Sequence, residues 1–234
     1  MNGRALIVNA DDFGRSDGIN EGVAQAHEQG IVTSASLMVR WPAAAAAAVY
    51  ARARATLGVG LHLDLSEWRH EDGEWVRVYE RAADDPDAVE REARAQLDLF
   101  RSLLGADPTH LDSHQHVHRY EPAHTMLALL GAELGVPVRG VTPGIDYRGD
   151  FYGQTDRGEP LDGVLSDGYL GDLVRSLGPG VTELGCHPAA RIDFDSAYAG
   201  ERLAELRALC SDAVAAVLAE EGIKLVSFAS LALR

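Results

Sequence analysis

This 234-residue chain has few cysteines, a shortage of positive charge and no long hydrophobic run, and each lack excludes a class of explanation. Its two cysteines, Cys186 and Cys210, lie far apart and lack zinc-knuckle spacing. They offer neither a disulfide framework nor a cysteine-held metal, and a reducing compartment fits. Lys and Arg number 21 against 36 acidic residues, a formal net charge of −15. That balance argues against nucleic acid and anionic membrane surfaces as partners. No apolar stretch approaches the ~20 residues that span a bilayer, and the alanine tract at 43–48 reads as part of a helix. No charged leader followed by an apolar run and a cleavage site opens the sequence, so a cytoplasmic protein is expected. No Gly-x-Gly-x-x-Gly or Gly-Lys-Ser/Thr phosphate loop follows the first apolar segment. Repeats and linkers are also missing. One domain over 1–234, built on a single core, is the expectation.

What the chain does have is histidine in one place. His110-Leu111-Asp112-Ser113-His114-Gln115-His116-Val117-His118 holds four of the nine histidines. In an extended chain, side chains alternate faces, so His110, Asp112, His114, His116 and His118 would share one side. Buried imidazoles each need a partner, which makes such a row costly as packing material and sensible as a source of metal ligands or proton-transfer groups.

Around this stretch, apolar segments alternate with helical patterns. The run Ala5-Leu6-Ile7-Val8 is apolar throughout, as a parallel strand buried on both faces would be, and it ends in Asn9-Ala10-Asp11-Asp12-Phe13-Gly14. Helical spacing predicts a helix over about 18–29, stopped by Gly30. A strand over 33–39 and a helix after Trp41-Pro42 follow. The strand at 58–65 carries His62 and Asp64 on one face by alternation. Residues 66–85, with Trp68, Trp75 and Tyr79, read as a long loop over the site. Val89, Ala93, Leu97, Phe100 and Leu104 recur at helical spacing up to Gly105. A helix near 121–133, a short strand around 138–141, a second long loop over 142–163, a helix over 170–177 and a strand ending in Cys186-His187-Pro188 come next. One last helix over 200–220 and a closing strand at 224–228 complete the series. Charges along the helices read as solvated faces, and His27, His70 and His124 as surface residues. About seven such alternations predict an α/β fold, an irregular (β/α) barrel of about seven parallel strands, rather than an open doubly wound sheet.

Asp11/Asp12, His62/Asp64, the histidine row and His187 all fall near strand C-terminal ends, which in a barrel converge on one face. Two imidazoles and a carboxylate leave open positions on a divalent ion, as catalytic sites do. Adjacent aspartates cannot point the same way in an extended chain, so one could bind metal while the other serves as a base. Asp112, His116 and His118 are candidates to orient the ligands, with Asp64 beside them. Trp68, Trp75, Tyr147, Phe151 and Tyr152 could stack against a sugar ring.

The motifs Asn9-Ala10-Asp11-Asp12-Phe13-Gly14, Ile31-Val32-Thr33-Ser34-Ala35-Ser36, Gly60-Leu61-His62, the 110–118 stretch and Cys186-His187-Pro188 resemble the YdjC-like carbohydrate deacetylases, which include chitooligosaccharide and hopanoid-associated members. The resemblance runs over nearly the whole chain. It implies a divalent-metal hydrolase that removes an acetyl group from an N-acetylated sugar or oligosaccharide. Asp12, His62 and His114 would be the metal set. Magnesium is the family's usual ion, while imidazole donors also suit zinc. Asp11 would be the general base, by further analogy with the paired aspartates of polysaccharide deacetylases, and His187 the general acid. A homodimer is implied too. Hydrolysis of another amide or a phosphoester, or a non-catalytic metal-binding barrel, are the competing expectations.

Overall fold

One strand, β1 (Arg4–Phe13), is the hub to which the rest of the sheet is attached. The structure is a computed structural model that describes residues 3–82 and 84–231. On one side β1 pairs in parallel with β8 (Gly180–Cys186), from Arg4↔Gly180 to Ala10↔Cys186. On the other side its first half meets β9 (Lys224–Leu225) and its second half β2 (Ser34–Leu37). The full order is β6 (Leu111–Ser113), β3 (Gly58–Leu63), β2, β1, β8, β7 (Ile145–Arg148), with β9 off this path. Every pairing is parallel. Among the described residues none joins β7 to β6, so the expected irregular barrel forms as a curled half-barrel.

Leu6, Ile7, Val8 and Ala10 of β1 are fully buried, as are Leu61 and Leu63 of β3 to within 1%. This is why the strands read as continuous apolar runs: helices cover the sheet's outer face and side chains fill its inner one. The helices start and stop where their caps dictate. Ser16 accepts from the Ile19 amide to open α1 (Asp17–Glu28). Asp85 caps α3 (Pro86–Leu104), whose Pro86 needs no amide partner, and Gly105 closes it in the left-handed region at φ 72°. Helix α3 buries the expected stripe of Val89, Ala93, Leu97 and Phe100. Helices α2 (Ala44–Arg52), α4 (Ala123–Leu134) and α5 (Asp167–Arg175) also follow the pattern. No helix among the described residues is long and apolar enough to cross a membrane.

Four expectations are corrected. Residues 66–85 are not a loop: β4 (Ser66–Glu71) and β5 (Glu74–Glu80) form an antiparallel hairpin. Its turn is Asp72-Gly73, both at positive φ, a strong local hairpin signal. Ala83, in the same stretch, lies outside the described residues. The second supposed loop, 142–163, contains the edge strand β7, whose four residues are set among glycines and aspartates too densely for a strand period to show. The last helix is two, α6 (Gly200–Leu209) and α7 (Asp212–Glu220), broken where Ser211 turns extended ahead of α7. The strand expected around 138–141 is reduced to one parallel bridge, Leu111↔Val138.

Candidate metal and catalytic site

The C-terminal ends of β1, β3, β6 and β8 deliver their polar side chains to one cavity of about 780 Å³. Asp12, His62 and His114 meet there: each offers a donor atom, and the three atoms lie within 4.8 Å of one another. Asp12 Oδ1 is 3.1 Å from His114 Nδ1 and 3.5 Å from His62 Nε2. Neighbouring donors that sit ~2.1 Å from one ion are separated by about these distances. His62 turns its other nitrogen, Nδ1, to Asp112 Oδ1 at 2.8 Å, which fixes the tautomer and leaves Nε2 facing Asp12. Burial alone would push the His62 imidazole down, but Asp112 and Asp11 outweigh it and push it up to about 10. The surrounding carboxylates therefore favour positive charge at this point. Two imidazoles and a carboxylate, oriented and in a cation-attracting field, fit a divalent ion.

Local backbone geometry makes the cluster possible. Asp12 adopts φ 64°, and the β1–β2 register slips between Ala10 and Phe13. This left-handed residue defeats strict alternation, so Asp11 and Asp12 both line the cavity. The histidine row is also not extended. Strand β6 lasts three residues, and His114–Arg119 then turn as a 3-10 segment with Gln115 at φ 50° and His116 at φ 54°. Such backbone is costly for non-glycine residues and persists where its surroundings enforce it, often at functional sites.

The kink sends the histidines to different places. His110 is buried between Ser36 Oγ (3.0 Å) and Thr109 Oγ1 (3.0 Å) and stacks on Phe228 at 3.9 Å. His116 lines the cavity with its Nε2 3.3 Å from the Tyr147 hydroxyl. His118 is buried beside Ser113, its Nδ1 2.6 Å from the hydroxyl, and does not line the cavity. Asp112 sits beneath the cluster, accepting from Ser36 Oγ at 2.6 Å and from Arg139 Nη2 at 2.8 Å. Asp64 is not brought to the cluster. Alternation placed it beside His62, but β3 ends at Leu63 and Asp64 turns to Tyr79, Trp41 and Arg81, at 2.8, 3.0 and 2.7 Å. It anchors the hairpin. Trp68 and Tyr147 line the cavity, with Phe151 and Tyr152.

Asp11 is gripped by Arg139, Nη1 to Oδ2 and Nη2 to Oδ1, both at 2.7 Å, and also accepts from Asn9 Nδ2 at 2.9 Å. Burial pushes its carboxyl up, but the guanidinium outweighs that and holds it below the ordinary value. It is an anion fixed in place. Arg139 Nε reaches Glu183 Oε1 at 2.7 Å, and burial pushes that carboxyl up to about 7 against the pull of Arg139. His187 reaches the cavity from the end of β8, with Nε2 3.8 Å from Asp11 Oδ2 and Nδ1 3.8 Å from Glu205 Oε1. Glu205 is wholly buried and accepts from the His187 amide and the Tyr198 hydroxyl. Arg202, 3% exposed, donates through Nη2 to Asp12 Oδ2. On the hairpin side Arg15 bridges Glu67, at 2.6 Å, towards His114 Nε2, at 3.4 Å.

Arg139, Arg202, Glu205, Arg15, Glu67 and Ser36 were not legible as site residues. Arg202 and Glu205 correct the reading of helix charges as solvated: three apart on α6, they face inward. Arg139 does carry a signal, a single charge inside the apolar segment Val136-Pro137-Val138-Arg139-Gly140-Val141.

A carbohydrate deacetylase of Geobacillus stearothermophilus is 37% identical over 251 residues, covering 96% of this chain and 97% of that one. A chitooligosaccharide deacetylase of Salmonella heidelberg is 32% identical, covering 96% and 98%. Among solved structures, a candidate cellobiose-phosphate cleavage protein of Enterococcus faecalis superposes with a TM-score of 0.80 at 28% identity, over 99% of this chain and 100% of that one. The model of YdjC-like proteins matches residues 5–220, and with relatives of this identity aligned end to end, the chain belongs to the YdjC-like family.

Proposed function

We propose that this protein hydrolyses the acetamido group of an N-acetylated sugar or oligosaccharide, releasing acetate and a free amine. The observation that carries this is the Asp12–His62–His114 cluster lying beside an Asp11 carboxylate clamped by Arg139. The named activities of the relatives supply the substrate class. A divalent ion held by Asp12, His62 and His114 would supply Lewis-acid polarisation of the acetyl carbonyl and acidify a water. Magnesium is the family's usual ion, and the two imidazole donors leave zinc as the alternative.

The chain's own groups do the rest. Arg139 keeps Asp11 ionised and immobile, so this carboxylate takes the proton of the attacking water. Asp112 holds the His62 ring in its orientation. As the carbon–nitrogen bond breaks, His187 protonates the leaving amine, with the buried Glu205 behind its Nδ1. Tyr147 and His116 form the floor of the cavity beside Arg139.

The direct test is acetate release from N-acetylglucosamine and its oligomers, alongside phosphate release from a generic aryl phosphate. Acetate without phosphate supports the reading. Phosphate alone moves the site to phosphoester chemistry, and neither product leaves a non-catalytic barrel.

A further inference from the structure

Beneath the floor of the cavity lies a carboxyl that the reaction above does not use. Glu183 is fully buried on β8, in register with Ile7 of β1 and Tyr147 of β7. Alternation puts it on the same face as Val181 and Gly185. Gly185 lines the cavity, whereas Val181 packs with Ile7 and Phe228 in a small apolar cluster. Glu183 therefore stands at a boundary, with the site one layer ahead of it and apolar packing one layer behind. A carboxyl is poor material there, because both of its oxygens must leave water. Among the described residues, Oε1 meets Arg139 Nε at 2.7 Å and Oε2 is buried without a partner. Leu or Met would fill the same space at less cost, so what the carboxyl contributes is its hold on Arg139.

That hold is directional. A guanidinium is a rigid planar fork, and fixing Nε fixes how the plane is turned. Nη1 and Nη2 are then aimed at Asp11 Oδ2 and Oδ1, each at 2.7 Å. Asp112 touches Nη2 alone, at 2.8 Å, a single point about which the plane could still swing. Burial pushes the Glu183 carboxyl up to about 7, and its Oε1 accepts from the Nε–H with or without a proton on the other oxygen. Reach, rather than charge, is what Glu183 supplies. We propose that Glu183 is a positioning residue of the hydrolysis: through Nε it locks the plane of Arg139, and with it the direction in which the Asp11 carboxylate faces the attacking water. This rests on the deacetylase reading above.

The test sets reach against charge. Glu183→Gln keeps an oxygen acceptor at the same reach and loses the charge. Glu183→Asp keeps the charge one methylene short, and Glu183→Met keeps neither. For each, kcat and KM for acetate release from an N-acetylglucosamine oligomer are measured alongside bound metal and the denaturant midpoint. Glu183→Gln should retain most of the wild-type kcat. Glu183→Asp and Glu183→Met should each lose about tenfold in kcat through a misdirected base, with KM and bound metal unchanged. The Glu183→Met midpoint should move little, since one orphaned oxygen is exchanged for one orphaned N–H while Asp11 and Asp112 still compensate the guanidinium. Wild-type kcat in Glu183→Asp overturns the role. So does a Glu183→Gln enzyme as slow as Glu183→Asp, or a loss of kcat that goes with lost metal. If Glu183→Met does not fold, the comparison of Glu183→Gln with Glu183→Asp decides alone. If the wild type releases no acetate from any sugar, the deacetylase reading fails, and NMR of the Arg139 side chain then decides. Nη1 and Nη2 signals that are separate in the wild type and in Glu183→Gln but merged by rotation in Glu183→Asp support the lock, and identical signals in all three overturn it.

Discussion

Arg139 lies in line with Asp11 so that each nitrogen of its fork meets one carboxylate oxygen at 2.7 Å. The same guanidinium touches Asp112 at 2.8 Å and Glu183 at 2.7 Å, all at full burial. One side chain therefore fixes Asp11, the proposed base, and also Asp112, which holds the His62 ring. Arg139→Lys keeps the charge but not the planar fork, and one ammonium cannot span both oxygens. Its kcat should fall by about 10²-fold, within the range a misplaced general base costs, while bound metal stays at the wild-type level. Parallel turnover and metal measurements check this. Lost metal would show that Arg139 serves the ion rather than the base.

His187 is assigned the leaving-group proton. A sugar amine leaves poorly without one, whereas p-nitrophenolate leaves unaided. His187→Ala should therefore lose about 10²–10⁴-fold on the acetamido sugar and far less on p-nitrophenyl acetate. Asp11→Asn should lose activity on both. Equal losses on both substrates for His187→Ala would remove it from the acid role.

His118 gives a pH-dependent stability term. Burial, then nearby Arg139, holds its imidazole down at about 4, from the ordinary 6.5. The unfolded chain takes up a proton as pH falls through 6.5, and the folded one does not until about 4. The stabilisation is thus complete above pH 6.5 and lost progressively between 6.5 and 4, on the order of 3 kcal/mol for such a shift. His118→Asn can keep the hydrogen bond to Ser113 without titrating. Denaturant midpoints measured from pH 7 to pH 5 should fall more steeply in the wild type than in the variant. Identical slopes would contradict a neutral His118.

Much of the site was legible because its residue types are poor packing material. Asp12, His62 and His114 stand at the ends of apolar strands, where only chemistry justifies them, and the structure brings them together. Asp64 looked equivalent by alternation, but alternation ends with the strand, one residue earlier. The positive φ of Asp12 and of His116 cannot be read from residue identity, since neither is glycine. That is why the shared face assigned to the histidine row did not survive. The half-barrel was legible from its alternating apolar runs. The hairpin was hidden because it packs few apolar side chains, though Asp72-Gly73 marked its turn. Glu205 and Arg202 were hidden because helical charge defaults to solvent, and nothing in an isolated helix says which turn faces a cavity.

Asp12, His62 and His114 are proposed to hold one divalent cation that the reaction needs. Elemental analysis and metal titration of the purified protein, paired with acetate release from an N-acetylglucosamine oligomer, test it most directly. The expected result is one ion per chain, with loss of both ion and turnover in Asp12→Ala, His62→Ala and His114→Ala, while Asp11→Asn keeps the ion and loses turnover. A metal-free Asp12→Ala protein with wild-type turnover would contradict it.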